Sequence, residues 1–423
     1  MINPSLIEHI FKAASISRWN DYPKMVDINE LDKQAHKVLI AYFLAKLEGD
    51  VNMRVIVEYG VFEFLSRVVV TDIRPDVLHY IQKSKASELN SWIKTQLDKI
   101  IDSENELFKE RLDNFFRGDD TYKKERLILK AASYLATKWE FAIVYQTSKF
   151  LEGIDELKAK VDEEIEDYFE LASIKELLAS TKLSKLIDLC GRLRFQRRWA
   201  QTQRIPQTNV LGHMLVVAIF SYFYSLEVKA CDKRLENNFY CALFHDLPES
   251  LTRDIISPVK YGVKGLDDII SEYEMRLIEE QILPLAPSRI RSEFAYILGV
   301  RKDGNKRIKS EFENRIMPNN ESLSLSAALS QYNTNEYNAI DGKALKCCDR
   351  LAALIEAGLS ISYGVQTTEL KEGFKQTYKK FVESPTCEGV DFKAVCDTFK
   401  EHFGLEFYNL NFYTNSNKNS RIP

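Results

Sequence analysis

The sequence predicts an all-α protein. Glycine and proline are scarce, 16 and 11 in 423 residues, so few positions interrupt a helix. Apolar side chains recur about every 3.6 residues along most of the chain, as they do on helices with one face turned inward. A hydrophobic share of 45%, with 11% aromatic residues, supplies a sizeable core.

Taken in order, this recurrence predicts helices near residues 31–48, 53–68, 86–116, 121–149 and 154–178. A second series is expected near 182–196, 209–228, 234–247, 266–283, 287–300, 343–361, 368–383 and 390–402. The pattern lapses over 301–342, where DGNKRIKSEFENRIMPNNES and QYNTNEYNAIDG are polar and rich in asparagine. A long loop or lid is expected there. The tail NLNFYTNSNKNSRIP is polar enough to fray.

Charge narrows the function classes. With 58 basic and 62 acidic residues the net charge is −4, which gives no global cationic field for nucleic acid and leaves local basic patches open. The seven cysteines are odd in number and form no CxxC pair, and MINPSLIEHIFKAAS lacks the layout of a signal peptide. A reducing, cytoplasmic setting is expected. Apolar runs such as Leu215 to Phe223 fall short of the ~20 residues of a membrane span, so no membrane partner is expected.

Chemistry concentrates in Phe239 to Lys260, FYCALFHDLPESLTRDIISPVK, where an apolar helical run ends in His245-Asp246, followed by Glu249 and Asp254. Adjacent side chains on a helix diverge by roughly 100°, so the pair can share one ion only from two sides, with other helices completing the set. The chain also echoes itself. Arg198-Trp199, His213, His245-Asp246, Asp254 and Asp349 follow Arg18-Trp19, His36, Glu63-Phe64, Asp72 and Ser133 at offsets of 180, 177, 182, 182 and 216. Read as a duplication, residues 1–176 form a degenerate copy without metal ligands, and residues 177–423 form the intact copy, interrupted around 301–342.

His213 lies in NVLGHMLVVAIFSYF and Asp349 in ALKCCDRLAALIEA. Singly, each could be a core histidine or a buried charge partner. Together with His245 and Asp246 they form a two-imidazole, two-carboxylate set suited to Mn, Co, Fe, Zn or Mg. Such an ion, with coordination sites left open, acidifies a water and polarises a phosphoryl oxygen.

These residues resemble the H…HD…D signature of the HD-domain metal-dependent phosphohydrolases. The text RRWAQTQ, NVLGHMLVVA and HDLPESLTRDIISPVKY is most similar to the bacterial 5'-deoxynucleotidases of the YfbR type. The resemblance covers roughly Leu183 to Leu283 and Lys343 to Leu359, with the weaker echo over the first third. It implies two tandem helical bundles of HD type, a divalent metal, and a nucleotide substrate, most simply a (deoxy)ribonucleoside 5'-monophosphate. It also implies roles: Glu249 acting at the reacting phosphate, Arg198 clamping the phosphate, Trp199 crowding the sugar 2' position, and Asp254 and Lys260 supporting the substrate.

This chain departs from the family's usual pattern at two places. Gly212 stands where an acidic residue normally precedes the first histidine, so the hydrogen bond that orients that ring must come from elsewhere. Pro248 interrupts the helix before Glu249. Because relatives of this kind tend to be homodimers, a tandem chain implies an intramolecular pseudo-dimer. Other readings of the same ligands are a dNTP triphosphohydrolase, an alarmone or cyclic-nucleotide hydrolase, and a nucleotide-sensing module without turnover.

Overall fold

Small polar side chains set many helix starts in this protein. Asn29, Asn52, Ser180, Thr367 and Asp391 each accept a hydrogen bond from a first-turn backbone N–H, satisfying a donor that the helix itself cannot. The computed structural model describes residues 2–101, 106–118, 120–255, 259, 262–303, 306–318, 322–325 and 329–405. The tail from 406 onwards, expected to fray, lies outside the described residues.

The first series of helices is α1 (Pro4–Lys12), α2 (Glu30–Glu48), α3 (Met53–Val70), α4 (Pro75–Asp98), α5 (Glu106–Arg117), α6 (Lys123–Ser148), α7 (Ile154–Glu163) and α8 (Ala172–Ala179). The second is α9 (Thr181–Arg192), α10 (Val210–Glu227), α11 (Asp232–Phe244), α12 (Glu249–Thr252), α13 (Leu266–Leu277), α14 (Ser288–Ile297), α15 (Gly342–Ser362), α16 (Thr368–Glu383) and α17 (Phe392–His402). The all-α expectation holds. Two of the long helices expected from sequence are each divided. The 154–178 stretch breaks where Glu163, Glu164, Glu166 and Asp167 crowd negative charge at a helix C-terminus, the end that favours cations.

Two helices carry the architecture. Every residue of α2 from Glu30 to Ala45 and of α10 from Val210 to Leu226 is buried, as expected for helices enclosed on all sides. Among the described residues, α10 alone is long and apolar enough to cross a membrane, yet 94% of it is buried inside the protein. The apolar run is thus longer than Leu215 to Phe223 suggested, and it is spent on the core.

The two helices meet at Gly212. A Cβ there would lie 2.9 Å from Leu31 Cγ and 3.0 Å from Asp32 Oδ1. One hydrophobic core runs from Leu6 to Leu405 across both series. Tyr42 of α2 packs on Tyr240 and Phe244 of α11, with ring centroids 4.6 and 5.2 Å apart.

The 301–342 segment is not a structureless loop. Its described residues form a hairpin of β1 (Val300–Asp303) with β2 (Lys306–Lys309), and an antiparallel sheet of β3 (Asn314–Ile316) between β4 (Leu323–Ser324) and β5 (Ile340–Asp341). A second short hairpin, β6 (Thr386–Cys387) with β7 (Val390–Asp391), joins α16 to α17. Arg315 is fully buried and donates to the carbonyl oxygens of Ser310, Glu311 and Glu313. Arg234 of α11 grips Asp341 through two bonds of 2.7 and 2.6 Å. These anchors hold the segment against α11 and bring Phe312 to 5.9 Å from the His245 ring.

Candidate metal centre

Three helices deliver four side chains to one point. His213 projects from the first turn of α10, where Asn209 begins the helix. His245 caps the end of α11 with helical backbone angles, and Asp246 follows in the turn. Asp349 comes from the middle of α15.

The donor atoms converge. One donor atom from each of His213, His245 and Asp246 lies within 4.8 Å of the other two. His213 Nε2 is 3.1 Å from Asp349 Oδ1, and His245 Nε2 is 3.1 Å from Asp246 Oδ2 and 4.0 Å from Asp349 Oδ1. The His245 Nδ1–H donates to the Ala242 carbonyl at 2.7 Å, which leaves Nε2 as the ring's lone-pair atom. That atom is buried and makes no hydrogen bond, although a carboxylate oxygen stands close by. Imidazole nitrogens and carboxylate oxygens gathered this closely suit a positive charge between them, a proton or a cation.

Electrostatics agree. Burial disfavours a charged His245, but the Asp246 and Asp349 carboxylates outweigh it and hold the imidazole up at about 9. Burial likewise penalises the Asp246 carboxylate, and His245, His213 and Arg198 nonetheless keep it well below the ordinary range. The donor set is negative and attracts positive charge. Its composition fits a divalent ion.

Behind the four stands Glu356, two helical turns beyond Asp349 and fully buried. Its carboxylate accepts from Arg198 Nε at 3.3 Å, Trp199 Nε1 at 3.0 Å and Thr208 Oγ1 at 2.8 Å, and it lies 3.3 Å from His213 Nδ1. Burial would raise this carboxyl, but Arg204 and Arg198 overcome it and hold it well below the usual carboxylate range. Glu356 therefore supplies the acid beside the His213 ring that Gly212 cannot, close to Nδ1 though outside hydrogen-bond geometry. Sequence reading passed over it. Its signal was an acid inside the apolar run AALIEAGL, on the same helix face as Asp349.

Arg198 is nearly buried between Glu356 and Asp246, whose Oδ2 lies 3.8 Å from Nη1. Trp199 takes a left-handed backbone, φ 57°, and packs on α16, where a Cβ at Gly373 would lie 2.5 Å from the indole. Glu249 opens α12, and its Oε2 is buried without a partner. Burial, reinforced by Asp246 and Asp254, pushes its carboxyl well above the ordinary value. Pro248 thus ends one helical run and lets Glu249 begin another with its carboxyl turned inward. Asp254 is half-buried beside these groups, and its backbone N–H donates to Gln196 at 3.2 Å. Lys260 lies outside the described residues.

The first series repeats this cradle without its donors. Ser17–Asn29 and Arg197–Asn209 form matching β-bridges, and Trp19 shares the φ of 57°. Trp19 Nε1 donates to Glu140 at 3.1 Å and Arg18 Nε at 2.8 Å, as Trp199 and Arg198 do to Glu356. By this register, 180 residues apart, the counterpart of His213 is Lys33 rather than His36. Lys33 Nζ donates to Ser133 at 2.6 Å, and Lys37 pairs with Glu63. Protein ammonium groups thus stand among the counterparts of the ion's donors. His36 instead packs on Trp139 and bonds the Ile187 carbonyl at 3.1 Å.

Residues 190–378 match the family model described as HD domain. The chain is similar to a 5'-deoxynucleotidase of Pasteurella multocida, 26% identical over 125 residues, covering 27% of this chain and 60% of that protein. It is also similar to a 5'-deoxynucleotidase of Vibrio atlanticus, 30% identical over 122 residues, covering 28% and 61%. These matches span about three fifths of the relatives' own length. A solved HD-domain phosphohydrolase from Listeria innocua aligns at 17% identity and a TM-score of 0.38, covering 53% of this chain and 90% of that chain. Residues 190–378 thus carry the match to the HD domain, and the two histidines and two aspartates brought to one point lie inside that segment.

Proposed function

We propose that the protein hydrolyses the 5'-phosphate of a nucleotide, a (deoxy)ribonucleoside 5'-monophosphate in the simplest case, with a divalent metal held by His213, His245, Asp246 and Asp349. The observation that carries this reading is the convergence of His213, His245 and Asp246 donor atoms within 4.8 Å of one another, with Asp349 Oδ1 3.1 Å from His213 Nε2 and 4.0 Å from His245 Nε2. When bound, the ion supplies charge stabilisation at a phosphoryl oxygen and a more acidic water.

The chain's own residues do the rest. Arg198, fixed by Glu356, presents the remainder of its fork to phosphate oxygens. Glu249, buried and held towards its protonated form, is placed to give a proton to the departing oxygen. Trp199, locked by Glu356 and Gly373, is a rigid wall suited to exclude one sugar hydroxyl. Asp254 completes the substrate side, and the family resemblance gives Lys260 a supporting role there. The relatives named 5'-deoxynucleotidase support the nucleotide assignment.

Residues 1–176 are read as the degenerate copy that buttresses the catalytic one as an internal pseudo-dimer. The matching Arg-Trp-Glu cradles and the continuous core support this. Purified protein with Mn or Co, assayed for phosphate release across ribo- and deoxynucleoside mono- and triphosphates, tests the activity. Release of inorganic phosphate from 5'-monophosphates is expected, and its loss in Asp246→Asn. Release of triphosphate instead, or tight nucleotide binding with no release from any substrate, would overturn the proposal.

A further inference from the structure

Beside the metal centre lies a cavity of about 210 Å³ lined by Phe312, Lys343, Lys346, Arg350, Lys380 and Thr386 among others. No carboxylate is among its described lining residues. None of the ion pairs of the described residues involves Lys346, Arg350 or Lys380. Burial, with Arg350 and Lys346 next, lowers the Lys380 ammonium below its usual value. Lys380 is exposed on one side, and the Asp349 carboxylate offsets the repulsion from Arg350 and Lys346 only in part.

The cavity adjoins the candidate centre through two residues. Lys346 and Arg350 flank Asp349 on α15, one helical turn before and one residue after it. Phe312 forms the shared wall: its ring stands 5.9 Å from His245, and Lys346 Nζ lies 5.6 Å from its centroid on the cavity side. A structural explanation would pair the cations with acids, as Lys309 is paired with Glu274 and Glu311 in the same segment. That pairing is missing for Lys346, Arg350 and Lys380 among the described residues. Several cations bordering one small space match a dianionic group.

The geometry points to a second phosphate site: the cavity receives a phosphate other than the one being cleaved, so the preferred substrate is a nucleotide bearing at least two phosphates. This rests on the phosphohydrolase reading above and narrows it. Two sources share the chemistry, a phosphate elsewhere on the sugar and a polyphosphate chain on the same carbon.

The test uses the full chain in chelator, so that nothing turns over. Calorimetric titration compares a nucleoside 5'-monophosphate, the matching 3',5'-bisphosphate and the 5'-triphosphate. At least tenfold tighter binding of the bisphosphate or the triphosphate over the monophosphate is expected, and whichever ligand shows it identifies the source. In Lys346→Gln/Lys380→Gln the ratio is expected to fall towards one. The single Lys380→Gln variant, at an exposed position, is expected to lower it at least threefold with an unchanged circular dichroism spectrum. A wild-type ratio near one, or a ratio that both variants leave unchanged, overturns the site. Phosphate release with Mn is read separately. Binding preference without release would sink the hydrolase reading and leave the pocket standing, and release without preference would do the reverse.

Discussion

Glu356 gathers a buried guanidinium, an indole N–H, a threonine hydroxyl and the far nitrogen of a candidate metal-donor imidazole onto one carboxylate. Neutralising one member of such a cluster leaves Arg198 and Arg204 buried without their counter-charge, at a cost of about 3 kcal/mol. Glu356→Gln is therefore expected to lower the thermal midpoint markedly and to weaken Mn binding about tenfold, because His213 loses its orienting partner. Glu140→Gln is the control. It removes the equivalent carboxylate from Arg18, Trp19 and Arg194, so it should destabilise comparably while leaving metal affinity alone. Equal metal affinity in all three proteins would count against the role given to Glu356. Lys33 makes a second prediction, about pH. Burial lowers its ammonium to about 7 in the folded chain against 10.5 unfolded. Between those values the unfolded chain holds a proton that the folded chain has released, so stability rises with pH across that window and the penalty is complete below it. Lys33→Met removes this contribution. The difference in denaturant midpoint between variant and wild type is expected to be largest near pH 7 and to shrink by pH 10, and a constant difference would refute it.

At the scale of elements, the contact of α2 with α10 decides whether the two series hold together. Gly212→Ala inserts a methyl within 3.0 Å of Leu31 and Asp32, and overpacking of this kind costs about 1–3 kcal/mol. A fall in unfolding free energy of that size is expected, read by urea titration at constant m-value; no change would mean that α2 yields freely. The helices at this contact were legible in the sequence because caps and apolar recurrence are local signals. The expected 31–48 and 368–383 match α2 and α16, whose starts Asn29 and Thr367 cap. What could not be read depended on distant partners. The small sheet of the inserted segment is organised by Arg315 and by Asp341 reaching Arg234, neither of which has a sequence pattern. α1 is short, with nine residues beginning at Pro4, and went unnoticed. The four metal-donor candidates were legible because their motif is specific. The match of His36 to His213 was misleading: it followed residue identity, whereas the Asn29 and Asn209 starts set the register and place Lys33 opposite His213.

Across the whole molecule, the core does not divide at the boundary expected near residue 176. Tyr42 and Phe43 sit against Tyr240, Phe244 and Phe294, and Phe108 of α5 sits against Tyr222 and Phe223 of α10. Polar contacts cross as well: Lys46 bridges Glu236 and Glu293 at 2.6 and 2.8 Å, and Arg194 reaches Glu140 at 2.9 Å. Exposing even half a dozen such aromatic and aliphatic side chains forfeits roughly 10 kcal/mol, as much as the whole stability of an ordinary domain. Neither series can lose the other and stay folded. Residues 177–423 expressed alone are therefore expected to aggregate although they contain every candidate metal donor, and co-expression with 1–176 as a separate chain is expected to restore soluble, metal-binding protein. The intact chain should unfold in a single transition seen alike by circular dichroism and by tryptophan fluorescence, since Trp19 reports on one series and Trp199 on the other. A 177–423 fragment that unfolds cooperatively and binds Mn unaided would show that the first series is dispensable to the fold, and the buttress reading would fail with it.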